Sequence, residues 1–269
     1  MDSINITGAK IFFEIPIFGG IPITETQVNS WIVMAVIFIL CLVLTHNLQV
    51  RAVSKRQIIA EWIVEKVTKL VNENMGLKFD YFCPFICAII SLSAFSSLSS
   101  LVGMYPPTAD LNTVAGWAIL VFVLITYYKI KTNGFLGYLK GYTEPFALFT
   151  PFNVLSELGT PVSMAFRHFG NVVSGTVISA LVYAALAGLS TVLLGWLPGI
   201  LGKIPFLQIG VPAVLSVYFD VFSSCMQAFI FAMLTMLYVS GGFPADDYAA
   251  RKRKKAERKQ RAAAADAEK

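Results

Sequence analysis

Long uncharged stretches alternate with short polar ones along the chain. Trp31 to Leu44 is wholly apolar and, with its flanks from Val28 to His46, reaches the length of one membrane-spanning helix. The polar segment RAVSKRQ follows at once, carrying Arg51, Lys55 and Arg56. From about residue 57 to 75 the pattern changes to helical periodicity. Ile59, Ile63, Val67, Leu70 and Val71 fall on one stripe and Glu61, Glu65 and Lys69 on another, which predicts an amphipathic helix lying at the membrane surface. Phe82 to Met104 is uncharged and rich in serine, a composition that permits close helix packing in lipid. YPPTADLN breaks it, Leu111 to Tyr128 is a third uncharged span, and Lys129, Lys131 and Lys140 mark a second basic loop closed by Pro145 and Pro151.

The charge pattern then becomes unusual. Over the 45 residues from Leu158 to Gly202 the only formally charged side chain is Arg167, and over the 42 residues from Ile204 to Ala245 it is Asp220. Each run accommodates one long helix, with a break near Pro198, Gly199 and Pro205. The spans are therefore placed at about 28–46, 82–104, 111–128, 153–188 and 208–240. The expected fold is an all-α polytopic membrane protein of five crossings plus one interfacial helix. A helix of 153–188 is about 54 Å long, against an apolar core about 30 Å thick, so the last two helices are expected to tilt strongly and pack as a hairpin.

Composition agrees with this reading. Of 269 residues 56% are hydrophobic and 14% charged, with a mean hydropathy of +0.68; a soluble domain carries about 25% charged residues. The net charge of +5 belongs to the tail. Residues 251–269 hold nine of the 21 bases and three of the 16 acids, leaving 12 bases and 13 acids in the body. Nucleic-acid binding is not expected, because such a surface spreads its bases over a folded face among stacking aromatics. The basic loops at 47–56 and 129–140 fall on the same side as the tail, whereas the other side holds Lys10 and Lys203. By the positive-inside rule residues 1–27 lie outside and 246–269 are cytoplasmic. The opening MDSINITGAK lacks the basic region and apolar core of a cleavable signal, so the first span is expected to be retained. Cys41, Cys83, Cys87 and Cys225 sit in apolar runs away from any His or acid cluster, and no metal or other cofactor is expected.

An arginine within a spanning helix costs at least about 2.5 kcal/mol, and such charges default to an ion or substrate pathway, with a structural salt bridge as the bland alternative. Asp220 poses the same question on the next helix. Glu157 lies ten positions before Arg167, about 15 Å toward the cytoplasm, and Asp220 seven positions before Gln227, about 10 Å toward the outside. If Gln227 packs level with Arg167, two carboxylates flank one cation, each open to a different side. A fixed cation there blocks direct proton passage and favours a deprotonated carboxylate brought beside it by another subunit.

At these residues the chain resembles the a subunit of rotary F-type ATP synthases. PVSMAFRHFGN, from Pro161 to Asn171, looks like that family's signature around its essential arginine. QAFIFAMLTMLYVS, Gln227 to Ser240, looks like the matching part of the last helix, and Pro107-Thr108-Ala109-Asp110-Leu111-Asn112 like its P-x-A-D-x-N turn. The resemblance covers roughly residues 25–245. It implies a non-catalytic stator of the Fo sector that provides two offset half-channels for protons and couples their passage to rotation of a c-subunit ring. The b subunits of the peripheral stalk would be further partners, the F1 sector an indirect one, and the inner (plasma) membrane its location. Arg167 would be the essential arginine, Gln227 and Asn171 its polar neighbours, Asp220 the outer half-channel group and Glu157 an inner one. Where many relatives carry an acid or His nine residues after the arginine, this chain has Thr176, so Asp220 with Ser174, Thr176 and water would form the outer relay. His168 points about 100° away from Arg167 and is assigned to packing or a helix–helix hydrogen bond. The competing classes are a secondary transporter for an anionic substrate, for which no internal repeat is found, and an intramembrane enzyme, for which neither HExxH nor a paired-Asp arrangement occurs.

Overall fold

The computed structural model of the protein describes residues 9–16, 20–50, 54–143, 146–194, 214–215 and 217–242. Strands β1 (Ile11–Ile15) and β2 (Ile21–Thr24) form an antiparallel hairpin ahead of α1 (Glu25–Thr45). Then come α2 (Lys55–Met75), α3 (Cys83–Leu98), α4 (Leu111–Asn133), the short α5 (Phe135–Gly141) and the 45-residue α6 (Thr150–Leu194). A π-helical turn, Val217–Ser223, leads into α7 (Ser224–Gly242). Five segments are long and apolar enough to cross a membrane: Glu25–Thr45, Phe79–Val102, Leu111–Asn133, Thr150–Leu193 and Val217–Gly242. The protein is a multi-pass membrane protein of the all-α class, with the short hairpin outside its helical spans.

The number and order of spans match the hydropathy pattern, and the differences lie at their ends. α4 runs five residues beyond Tyr128, because Lys129 and Lys131 extend the helix past the apolar stretch until Gly134, at φ +76°, ends it with its N–H on the Ile130 carbonyl at 2.7 Å. The expected 82–104 span is α3 followed by a 3₁₀ turn, Ser99–Val102. The hairpin and α5 have no counterpart in the sequence reading. In α2 the expected stripe keeps its periodicity: Val71 is buried, Val67 and Leu70 pack against the core, and Glu61, Glu65 and Lys69 are exposed, but at the N-terminal end Ile59 is exposed beside Ile58 and Trp62. The buried residue of that half is Gln57, whose amide accepts from the Gln49 N–H at 3.1 Å and donates to the Gln49 carbonyl at 2.7 Å, tying α2 to the segment that follows α1. The break near Pro198, residues 208–213 of the fifth expected span and the basic tail lie outside the described residues.

One core joins α2, α3, α4, α6 and α7. Its seams are Val114, Ala118, Val121, Ile125 and Tyr128 on α4 and Ala228, Phe231, Ala232, Thr235, Met236 and Val239 on α7, each set at steps of one, three or four residues. These helices are apolar on all sides, so hydropathy alone does not show which stripe faces protein. Small residues mark it: Ala118, Ala232, Ser93, Ser96 and Ser97 are buried, and a Cβ on Gly242 would meet Lys129 Cγ at 3.1 Å. At the hairpin end Asp110 caps α4 through the Asn112 N–H at 3.0 Å and accepts from Thr26 Oγ1 at 2.7 Å, while Asn29 donates to the Tyr105 carbonyl at 2.9 Å. The turn Pro107 to Asn112 thus holds α1, α3 and α4 together at that end.

Candidate functional site

α6 starts beside the C-terminal ends of α4 and α7 and runs toward the hairpin end, and α7 returns. Two contacts set their register. Asn171 meets Ser223, and four residues on along α6 Gly175 meets Phe219, whose Cβ would lie 3.6 Å from a Cβ at Gly175. Each step moves four residues in opposite directions, as antiparallel helices require. One turn back along α6, the same register brings Arg167 level with Gln227; between the two contacts, it brings Ser174 level with Asp220.

Level is not facing. Arg167 is exposed on the outer side of α6 and has no hydrogen bond or ion pair among the described residues, whereas Gln227 is 5% exposed, turned into the bundle. His168 explains the orientation. It is fully buried, with Nε2 3.3 Å from Ser93 Oγ on α3 and its ring edge-on to Trp117 of α4 and Phe231 of α7. Consecutive helical residues point about 100° apart, so seating His168 in the core holds Arg167 outside it. The hydrogen bond expected of His168 is present, and its partner Ser93 was not legible beforehand.

Asn171 engages Ser223 rather than the arginine: Nδ2 donates to the Ser223 carbonyl at 3.4 Å and Oδ1 accepts from Ser223 Oγ at 3.0 Å. Ser174 donates to the Asn171 carbonyl at 3.2 Å and Thr176 to the Val172 carbonyl at 3.0 Å, which leaves the lone pairs of both exposed hydroxyls available. Asp220 is half-buried in the middle of the π turn.

Glu157 is at the opposite end, on the wall of a cavity of about 500 Å³ between α4, α5, α6 and the end of α7. Lys129 Nζ lies 2.9 Å from Glu157 Oε1, Tyr138 donates to the same oxygen at 3.3 Å, and Asn153 on the cavity wall donates to the Tyr142 carbonyl at 2.8 Å. The Tyr142 hydroxyl is hydrogen-bonded to that of Tyr138 beside the same carboxylate; burial first, and Glu157 second, push its phenol well above the usual tyrosine range, so it stays neutral. Pro161, one turn on, has no N–H to give the Glu157 carbonyl, which leaves that backbone oxygen free of its helical partner beside the cavity. Lys129 comes from the end of α4, Tyr138 from α5 and Tyr142 from just after it, 15 to 28 residues from Glu157. The one signal for Lys129 was its position at the end of an apolar run, which also reads as a topology marker.

A multi-pass helical membrane protein with an intramembrane arginine that has no partner among the described residues, and a carboxylate toward each end, has the makings of an ion pathway. The comparisons with known proteins agree. The family described as ATP synthase A chain matches residues 27–240, and the chain belongs to that family. Among its relatives is ATP synthase subunit a of Desulforamulus reducens, 31% identical, with 85% of this chain and 87% of the relative covered. ATP synthase subunit a, sodium ion specific, of Propionigenium modestum is 30% identical, covering 90% and 88%. ATP synthase subunit a of Priestia megaterium is 31% identical, covering 84% and 96%. These names favour the rotary-motor reading over the transporter alternative.

Proposed function

We propose that the chain is the non-catalytic stator of the Fo sector, offering protons two offset half-channels and coupling their passage to rotation of a c-subunit ring in the inner (plasma) membrane. The observation that carries this reading is Arg167: a lone cation on the bare face of a helix built to span a membrane, fixed there by a buried neighbour. A charge in that position is costly unless an opposite charge meets it, and the described residues of this chain supply none. A ring carboxylate passing Arg167 supplies one, and the arginine in turn keeps that carboxylate ionised as it passes.

The outer path runs by Asp220, Ser174 and Thr176, with Asn171 one turn along α6 from the arginine; Gln227 stands level with Arg167 on the bundle side. The inner path opens at the Glu157 cavity. Arg167 lies between them and repels a proton that would cross without the ring. In this arrangement the N-terminus and hairpin face outward, and Lys129, Lys131, Lys140 and the tail from residue 246 face the cytoplasm. The b subunits of the peripheral stalk are the other direct partners and the F1 sector an indirect one. Replacing Arg167 by Ala or Gln is expected to abolish coupled ATP synthesis while the complex still assembles, since the exposed side chain contributes no packing within the chain. Normal synthesis in the Ala variant overturns the proposal.

A further inference from the structure

Asp220 does not stand on an ordinary α-helix. The seven residues Val217–Ser223 form a π-helical turn, and the α-helix resumes at Ser224. Such a turn absorbs an extra residue. Because neighbours on an α-helix are about 100° apart, it swings the preceding side chains through up to that angle compared with an uninterrupted helix. Where the Asp220 carboxylate points relative to α6 therefore depends on the turn being kept.

Two contacts from α6 hold the turn, one on either side of Asp220. Phe219 packs on Gly175, where the missing side chain makes room for its ring. Ser223, at the junction of the π turn with α7, is gripped twice by Asn171, through its side-chain oxygen at 3.0 Å and its carbonyl at 3.4 Å. Of these contacts, the side-chain pair is specific in chemistry: an amide facing a hydroxyl, each able to donate and accept. We infer that Asn171 is a positioning residue, which acts through Ser223 to hold the π turn and so sets where the Asp220 carboxylate stands in the outer path. This rests on the reading of Asp220 as an outer-path group, and it gives Asn171 a task other than contact with Arg167.

The test uses assembled complexes in membranes, in a background with Cys41, Cys83, Cys87 and Cys225 replaced. The rate at which the Asp220→Cys variant reacts with a small water-soluble thiol reagent applied outside is measured alone and combined with Asn171→Ala, with Ser223→Ala, with both, and with the exchange Asn171→Ser plus Ser223→Asn. Each alanine is expected to change the rate by roughly three- to thirty-fold, the pair by no more than the larger single effect, and the exchange to return it to within about twofold of the parent, as a direct contact requires. ATP-driven proton pumping per assembled complex, measured with Asp220 in place, should follow the same order. Additive alanine effects, or an exchange variant that behaves like the double alanine, overturn the proposal. Should the alanine variants not assemble, the yield of complex becomes the readout, and an exchange that fails to restore it has the same meaning. An Asp220→Cys variant that is unreactive from outside, together with an Asp220→Asn variant that pumps normally, takes down the reading of Asp220. The pumping series still decides whether Asn171 acts through Ser223.

Discussion

α6 and α7 are both uncharged over most of their length, yet the bundle treats them in opposite ways. Of the most apolar 18-residue stretch of each span, 39% is buried in the one that contains α7 and 6% in the one that is α6. α7 is a core helix, with Ala232, Met236 and Val239 wholly enclosed. α6 buries Met164, Ala165 and His168 in one patch, with Gly175 and Ser190 further along, and leaves Leu155, Leu158, Val162 and Phe166, spaced three or four residues apart, as a bare ridge next to Arg167. At about 67 Å for 45 residues it is also more than twice as long as a bilayer core is thick. Apolarity on α7 serves the fold of this chain. On α6 most of it is available for lipid or for another subunit.

That contrast can be broken by mutation. The largest expected effect is at a wholly buried seam position of α7. Ala232→Phe puts a ring where no space exists, costs about 3 kcal/mol or more, and should leave little assembled complex on native gels. Phe166→Ala on the bare ridge of α6 should change thermal stability of the isolated chain by less than about 0.5 kcal/mol while lowering coupled ATP synthesis. Equal loss of assembled complex from the two would erase the distinction. Next is His168, whose replacement by Ala leaves a void between Ser93, Trp117 and Phe231. About 2–3 kcal/mol of stability should go with it, and the His168→Gln variant, which keeps a donor for Ser93, should lose less. In both, coupling per assembled complex should fall too, because Arg167 takes its direction from this neighbour.

At the cytoplasmic cavity the expected effects are smaller. Glu157→Gln leaves Lys129, which is about one-third exposed, without its partner. Solvent compensates such a charge in part, so a few-fold fall in proton pumping is predicted with assembly retained. A double Lys129→Met, Glu157→Gln variant should recover part of that loss if the uncompensated charge is its cause. The smallest effect is predicted for the tail. Deleting residues 251–269 removes nine bases that can contact anionic headgroups at about 1 kcal/mol each. Yield or orientation should suffer more than turnover per assembled complex, and loss of pumping at normal yield would show that the tail takes part in it.

Much of the fold was written in the order of residues. Five uncharged runs of sufficient length, the turn at Pro107 to Asn112 and the isolation of Arg167 and Asp220 follow from which positions can tolerate lipid, a question that each segment answers by itself. The resemblance to the ATP synthase a subunits was legible for the same reason, since its motifs are local. Which stripe of each helix meets protein was not, because lipid and a protein interior reward the same side chains. Ile59 on α2 shows the difficulty: its periodicity is correct and its partner is the surroundings rather than the bundle. The candidate site divided in the same way. Arg167 and the two carboxylates announced themselves as charges out of place, whereas Ser93 under His168, Ser223 against Asn171 and Lys129 with its two tyrosines around Glu157 are polar residues of ordinary kinds. Only tertiary structure brings them from 15 to 75 positions away to within hydrogen-bonding distance, because a hydrogen bond in a membrane protein is decided by how helices are rotated and stepped against one another, and that rotation is the property a uniformly apolar helix does not encode in its pattern.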